Sequence, residues 1–214
     1  MNKNRTDIII VLDRSGSMAS TVNDVIGGFN KLIDDQINQP GEAYVTLVQF
    51  NNIEDIIYDQ VNVKHVKKLD RSNYLPAGGT ALLDAIGTTI SDVGRKYAEM
   101  KESDRPSKVV CVIMTDGEEN ASREYTRDKI FDMISHQKDK YNWQFLFIGA
   151  NQDAIQAGNS IGIRAANSAN YAANARGTQA VYQCISDGIT SYRSGEAEFL
   201  SFNENDRLKM EGKE

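Results

Sequence analysis

Ile8-Ile9-Ile10-Val11-Leu12-Asp13-Arg14-Ser15-Gly16-Ser17-Met18 is an apolar, largely β-branched run that stops abruptly at an acid and two hydroxyls. A continuous run of this kind reads as a strand buried on both faces of a parallel sheet. The acid and hydroxyls then fall at its carboxyl end, where open α/β sheets place their ligand sites. Asp13, Ser15 and Ser17 occupy alternate positions, which point the same way while the backbone stays extended. One carboxylate and two hydroxyls that converge are hard oxygen ligands. They suit Mg²⁺, which prefers oxygen, near-octahedral geometry and retained waters. On its own the pentapeptide reads more readily as a plain turn held by Asx and hydroxyl hydrogen bonds.

Two further segments add weight. Pro76-Ala77-Gly78-Gly79-Thr80 is a glycine-rich loop whose final hydroxyl opens a helical pattern, and Val109-Val110-Cys111-Val112-Ile113-Met114-Thr115-Asp116-Gly117-Glu118 is a second apolar strand ending in an acid. Asp13-x-Ser15-x-Ser17, then Thr80, then Asp116 resembles the metal-ion-dependent adhesion site of the von Willebrand factor A family, with every position filled in order. The resemblance spans roughly residues 6–195, a plausible length for one domain. It implies a doubly wound α/β fold, Rossmann-like, with helices on both faces of a mainly parallel sheet and one antiparallel edge strand. It also implies that Asp13, Ser15, Ser17, Thr80 and Asp116 hold Mg²⁺, with Mn²⁺ or Ca²⁺ as alternatives. Thr80 would join in the ligand-bound state, while Asp13 and Asp116 act largely through water. The metal's open position would take an acidic side chain from a protein partner, so the chain would be a binding module and not an enzyme. Similar isolated domains occur in bacteria and their viruses.

Each residue type also has an ordinary reading. Gly16, Gly78 and Gly79 fit tight turns as well as close approach to a metal. Thr80 fits a helix N-cap. Glu118, Glu119 and Asn120 fit a solvated loop or a rim, and Arg14, Met18 and Tyr74 are candidate rim contacts.

With 214 residues, 40% hydrophobic and 25% charged, the chain has the composition of one globular domain with a sizeable core. A formal net charge of −6 argues against general nucleic-acid binding, which needs a cationic surface. No apolar run is long enough for a membrane span, and the N-terminus shows no signal-peptide pattern. Cys111 and Cys184 lie in unlike contexts and read as free thiols, which fits a reducing, cytoplasmic compartment.

Periodicity predicts a strand at 6–12 and a helix at 20–38 capped by Ser20 or Thr21. Strands at 42–50 and 53–63 join through Asn51-Asn52 as an antiparallel hairpin with an acidic outer edge. An irregular stretch, 64–79, with a helical turn near 65–68, leads to a long helix at 81–101. A strand at 108–114, a helix near 124–139, a strand at 143–149 and a short helix at 151–158 follow. A last short strand is expected at 163–165 and a last helix at 175–193. The domain is expected to cover 1–198, followed by a polar tail at 199–214 in which Phe199, Leu200 and Phe202 pack on the domain and the rest frays.

Enzyme readings fare worse. A metal-dependent hydrolase or phosphatase using the same carboxylates is the alternative function. The Asp-x-Asp of haloacid dehalogenases is absent, because Ser15 stands where the second acid would be. Gly158-Asn159-Ser160-Ile161-Gly162 matches a nucleophile elbow by letter but follows a helical segment. Its only histidines, His65 and His136, lie upstream, against the order a triad needs. The partner's identity, the pathway and the oligomeric state are not encoded legibly.

Overall fold

The computed structural model describes residues 1–213 and carries the expected architecture. Six strands form one sheet: β1 (Asn2–Asp13), β2 (Glu42–Phe50), β3 (Glu54–Asn62), β4 (Pro106–Thr115), β5 (Gln144–Gly149) and β6 (Ser168–Asn170). Their order is β3-β2-β1-β4-β5-β6. Every neighbouring pair is parallel except β2 with β3, the antiparallel edge hairpin. The helices are α1 (Val22–Ile37), α2 (Leu82–Glu99), α3 (Arg127–Tyr141), α4 (Ala154–Ser160), α5 (Ala175–Ser194) and α6 (Glu204–Glu211).

Alternation along β1 divides the core between the two faces. Ile8, Ile10 and Leu12 face α1, α5 and α6, and join Phe29, Leu32, Val181, Ile185, Ile189 and Met210. Ile9 and Val11 face α2 and α3, and join Ile86, Ile90, Ile130 and Ile134. Both faces of β1 are therefore dry, which is why its sequence is a continuous apolar run and not an alternation. The α1–α5 contact is close: a Cβ on Gly28 would lie 2.1 Å from the Tyr182 ring. The same contact carries polar links, in which the Gln36 amide donates to the Ser186 carbonyl and Arg193 donates to the Gln36 carbonyl.

The sheet fixes where a site can form. From β1 the chain turns to β2 and β3 on one side, and later to β4, β5 and β6 on the other. The order reverses between β1 and β4, so the crevice beyond their carboxyl ends is the topological switch point. Asp13 ends β1, and Thr115 ends β4 just before Asp116.

Several local expectations are corrected. No side-chain cap begins α1; a 3-10 turn over Gly16–Thr21 leads into it, and the Thr21 hydroxyl donates to the Met18 carbonyl. The last strand is Ser168–Asn170 and not 163–165. Ile163 is instead spent on stopping α4: Gly162 takes a φ of +87°, and the Ile163 amide donates back to the Gly158 carbonyl. Ser160 is the last residue of α4 and not an elbow after a strand. The tail expected to fray folds as far as the structure describes it. Buried Leu200 and Phe202 anchor it, Asn203 and Asp206 form a reciprocal capping box, and fully buried Met210 seats α6. One buried methionine among charges left no periodic signal to read. Met18 and Tyr74, candidate rim contacts, are fully buried core residues.

Cys111 and Cys184 are both free. Burial pushes the Cys111 thiol up to about 12 and the half-buried Cys184 thiol up to about 11, the latter helped by Asp206. Neither should react with a thiol reagent in the native state at neutral pH, and both should react after denaturation. Mass spectrometry before and after unfolding checks this; a native disulfide would contradict it.

Candidate metal centre

Asp13 is the fixed point of the site. It is fully buried, and each of its oxygens is engaged: Oδ1 accepts from the Ser15 amide at 2.6 Å and Oδ2 from the Thr115 hydroxyl at 2.6 Å. Its carbonyl accepts from the Tyr74 hydroxyl at 2.7 Å. The rotamer is thus set by Ser15 and by Thr115 of β4, while Tyr74, in the loop before α2, holds the backbone. Ser15 and Ser17 then place their hydroxyl oxygens 2.9 Å apart, and the Ser17 hydroxyl donates to Asp116 Oδ1. Asp13, Ser15, Ser17 and Asp116 therefore line one continuous run of oxygens.

Thr80 arrives from the second of three loops, the one before α2; the first follows β1 and the third follows β4. Gly16 donates to the Gly78 carbonyl at 3.0 Å, and Ala77 donates to the Arg14 carbonyl at 2.9 Å, so the first two loops are joined backbone to backbone. Gly117 separates Thr80 from Ser17: a Cβ there would lie 3.5 Å from both Ser17 Oγ and Thr80 Oγ1. All five expected residues border this one place. Gly78 has a φ of +80°, and a Cβ on it would come 2.3 Å from Asn52 Oδ1, so both backbone and space require glycine there. Gly16 has only ordinary contacts at its Cβ position and no such requirement.

Thr80 does not cap a helix. The N-cap of α2 is Ala81, without a side-chain bond. That terminus is capped from the third loop: Glu119 Oε2 accepts from the Leu83 amide at 3.0 Å, and the Ser122 hydroxyl accepts from the Asp84 amide at 3.1 Å. Asp84 reciprocates by accepting from the amides of Arg123, Glu124 and Tyr125. Glu119 is thus a structural acid and not a rim residue. Arg14, the remaining rim candidate, turns to the edge strand and pairs with Asp55.

Asp13 and Asp116 differ from these acids. Among the described residues neither has a basic partner. Burial raises the pKa of both, and Asp116 raises that of Asp13 further. An anionic pocket with hydrogen bonds and no cation, made wholly of oxygens, fits a hard divalent ion. No cluster of three or more His, Cys, Asp or Glu occurs among the described residues, so the donor set here is two carboxylates with hydroxyls.

A sequence profile of the von Willebrand factor type A domain matches residues 7–183. The chain belongs to this family. No curated protein matches it by sequence. Its fold is similar to that of proximal thread matrix protein 1 from the mussel byssus, with a TM-score of 0.62 at 13% identity over 87% of this chain and 48% of that one. A second structure of that protein, with zinc occupying the metal-ion-dependent adhesion motif, gives 0.52 at 15% over 77% and 41%. Manganese-loaded TRAP protein from Plasmodium vivax gives 0.50 at 17% over 74% and 62%. The ArnB paralog VWA2 from Sulfolobus acidocaldarius gives 0.51 at 18% over 87% and 45%. At these identities the likeness is one of fold. This chain spans about half the length of most of those solved chains.

The electrostatics give a test with a definite sign. A raised carboxylate pKa means that the folded state binds more protons than the unfolded one above the ordinary value of 3.8, so the group's contribution to stability falls as pH rises through that window. Without divalent ions at neutral pH, Asp116→Asn should melt higher than wild type. The gain should vanish at pH below 3.8, where both forms are neutral. Melting curves across pH in EDTA check this.

Proposed function

We propose that Asp13, Ser15, Ser17, Thr80 and Asp116 bind a divalent cation, Mg²⁺ in the first instance, and that the domain uses it to hold an acidic side chain of a protein partner. The observation that carries this reading is the run of oxygens from Ser15 through Ser17 to Asp116 beside Asp13, with no basic side chain paired to either acid among the described residues. Bound there, Mg²⁺ would supply an electrophilic centre able to accept an anionic oxygen from outside.

The chain's own residues explain why such a site would favour a charged ligand. The two serines and Thr80 are neutral donors and leave much of a divalent charge uncompensated. Asp13 is locked by Ser15 and Thr115, so it cannot swing to add a second oxygen freely. Asp116 is shared with the Ser17 hydroxyl. An external carboxylate would complete the balance. Metal-occupied relatives, with zinc in the byssus protein and manganese in the Plasmodium protein, support a divalent site. The free, buried Cys111 supports a reducing, cytoplasmic setting as part of the same proposal.

Calorimetric titration with Mg²⁺ and Mn²⁺ tests the metal, and affinity capture in Mg²⁺ against EDTA tests the partner. Turnover of generic phosphate or carboxylic esters with Mg²⁺ or Mn²⁺, lost in Asp13→Ala, would instead favour the hydrolase alternative. Thr80 separates folding from function. Because Glu119 and Ser122 cap α2, Thr80→Ala should melt within a few degrees of wild type. It should keep part of its metal affinity and lose most partner capture, whereas Asp116→Ala should weaken both together. Retention of the partner by Thr80→Ala at the wild-type level would remove the middle loop from the site.

A further inference from the structure

The Asn51-Asn52 turn and Asn120 do more than join elements. The short loop that ends in Thr80 has no regular structure, so its backbone groups need partners from elsewhere. Asparagines supply them. The Gly79 amide donates to Asn52 Oδ1 at 2.8 Å, and the Thr80 amide donates to Asn120 Oδ1 at 2.9 Å. The Asn51 side chain donates to the Ala77 carbonyl at 2.8 Å, and the Asn51 carbonyl accepts from Ala81 at 2.7 Å. Asn120 closes a second link, donating its own amide to the Thr80 carbonyl at 3.1 Å. A Cβ on Gly79 would lie 3.0 Å from Asn120 Oδ1 and 3.0 Å from Asn52 Nδ2, so the two side chains close on Gly79 and hold the successive peptides that flank it. The hydroxyl of Thr80 itself makes no hydrogen bond among the described residues.

We infer that Asn52 and Asn120 are positioning residues for the proposed metal site: Asn52 fixes the Gly78–Gly79 peptide from the edge hairpin and Asn120 the Gly79–Thr80 peptide from the third loop, and so they hold the Thr80 hydroxyl uncommitted beside Ser17. This rests on the metal-site reading. Both side chains are exposed and contribute to neither core, so their value lies in the loop they hold. Backbone amides at Gly79 and Thr80 would otherwise bond to water, leaving the peptide free to rotate and the hydroxyl off its place.

The test uses Mn²⁺ as the metal and acetate as a stand-in for the partner's carboxylate. Mn²⁺ affinity is measured by EPR titration, with and without excess acetate, on wild type, Asn52→Ala, Asn120→Ala and Asn120→Asp. Melting temperatures are recorded alongside. Acetate should tighten Mn²⁺ binding by wild type. Asn52→Ala and Asn120→Ala should lose about tenfold of the acetate-assisted affinity while melting close to wild type. Asn120→Asp keeps an oxygen acceptor for the Thr80 amide and should restore the acetate effect, which a purely structural loss would not predict. If both alanine variants titrate as wild type does, the positioning role is overturned and the metal site stands. If the alanine variants and Asn120→Asp lose affinity only in step with melting temperature, the role is structural and the inference also falls. If wild type binds no Mn²⁺, the metal-site reading fails and takes the inference with it.

Discussion

A buried carboxylate held by hydrogen bonds, with no basic side chain paired to it among the described residues, is the constraint on which the carboxyl end of this sheet depends. Asp13 is fully buried at the end of the central strand, with both oxygens engaged by neutral donors, Ser15 and Thr115. Hydrogen bonds to the ionised form lower its pKa, and burial beside Asp116 raises it; burial wins. The fold tolerates this because the cost falls on one corner of a large, dry core. The two faces of β1 carry separate clusters of aliphatic and aromatic side chains, and neither cluster includes the acids. The chain thus spends stability in one place, and that place is the topological switch point of the sheet.

Order at the site comes from links between loops and not from the loops themselves. The first loop is tied to the second through Gly16, Gly78, Arg14 and Ala77. The second is tied to the edge hairpin and to the third loop by asparagines. The third is tied to β5's following turn, where Asn151 donates to the Asp116 carbonyl and Gln152 to the Gly117 carbonyl. Each link uses a short polar side chain or a backbone group. Such links reach across irregular backbone without adding bulk at the crevice.

Much of this was legible in the sequence, and the reasons for the exceptions are physical. Long apolar runs such as Ile8–Leu12 and the spaced Leu82, Ile86, Ile90 and Val93 encode burial directly, so the first five strands, the main helices and the edge hairpin read correctly, while the three-residue last strand did not. The convergence of Asp13, Ser15, Ser17 and Asp116 was legible because β1 and β4 end side by side, whereas Thr80, which follows no strand, was reached through the family resemblance. What escaped were contacts between segments distant in sequence. Asn51-Asn52 reads as an ordinary turn, and nothing local reveals that it grips a loop some 27 residues on. Likewise Glu119 caps a helix 36 residues earlier. Periodicity reports what a segment does for the core, and α6, whose one buried side chain is Met210, fell below its reach.

The third loop shows how one residue type is divided between fold and site. Asp84, Glu119 and Asp116 are carboxylates within the same small region. Asp84 accepts three backbone amides, and Glu119 accepts the amides of Leu83, Ala121 and Ser122 besides the Ser122 hydroxyl. Their charge is spent on orphan donors at a helix start and a turn, where it is stabilising and leaves nothing to offer a ligand. Asp116 has Ser17's hydroxyl as its one side-chain donor. Besides it, only its own backbone amide favours the charged form, and burial outweighs both. Backbone amides thus commit Asp84 and Glu119 to joining the third loop to the start of α2, whereas Asp116 is engaged through a hydroxyl of the first loop.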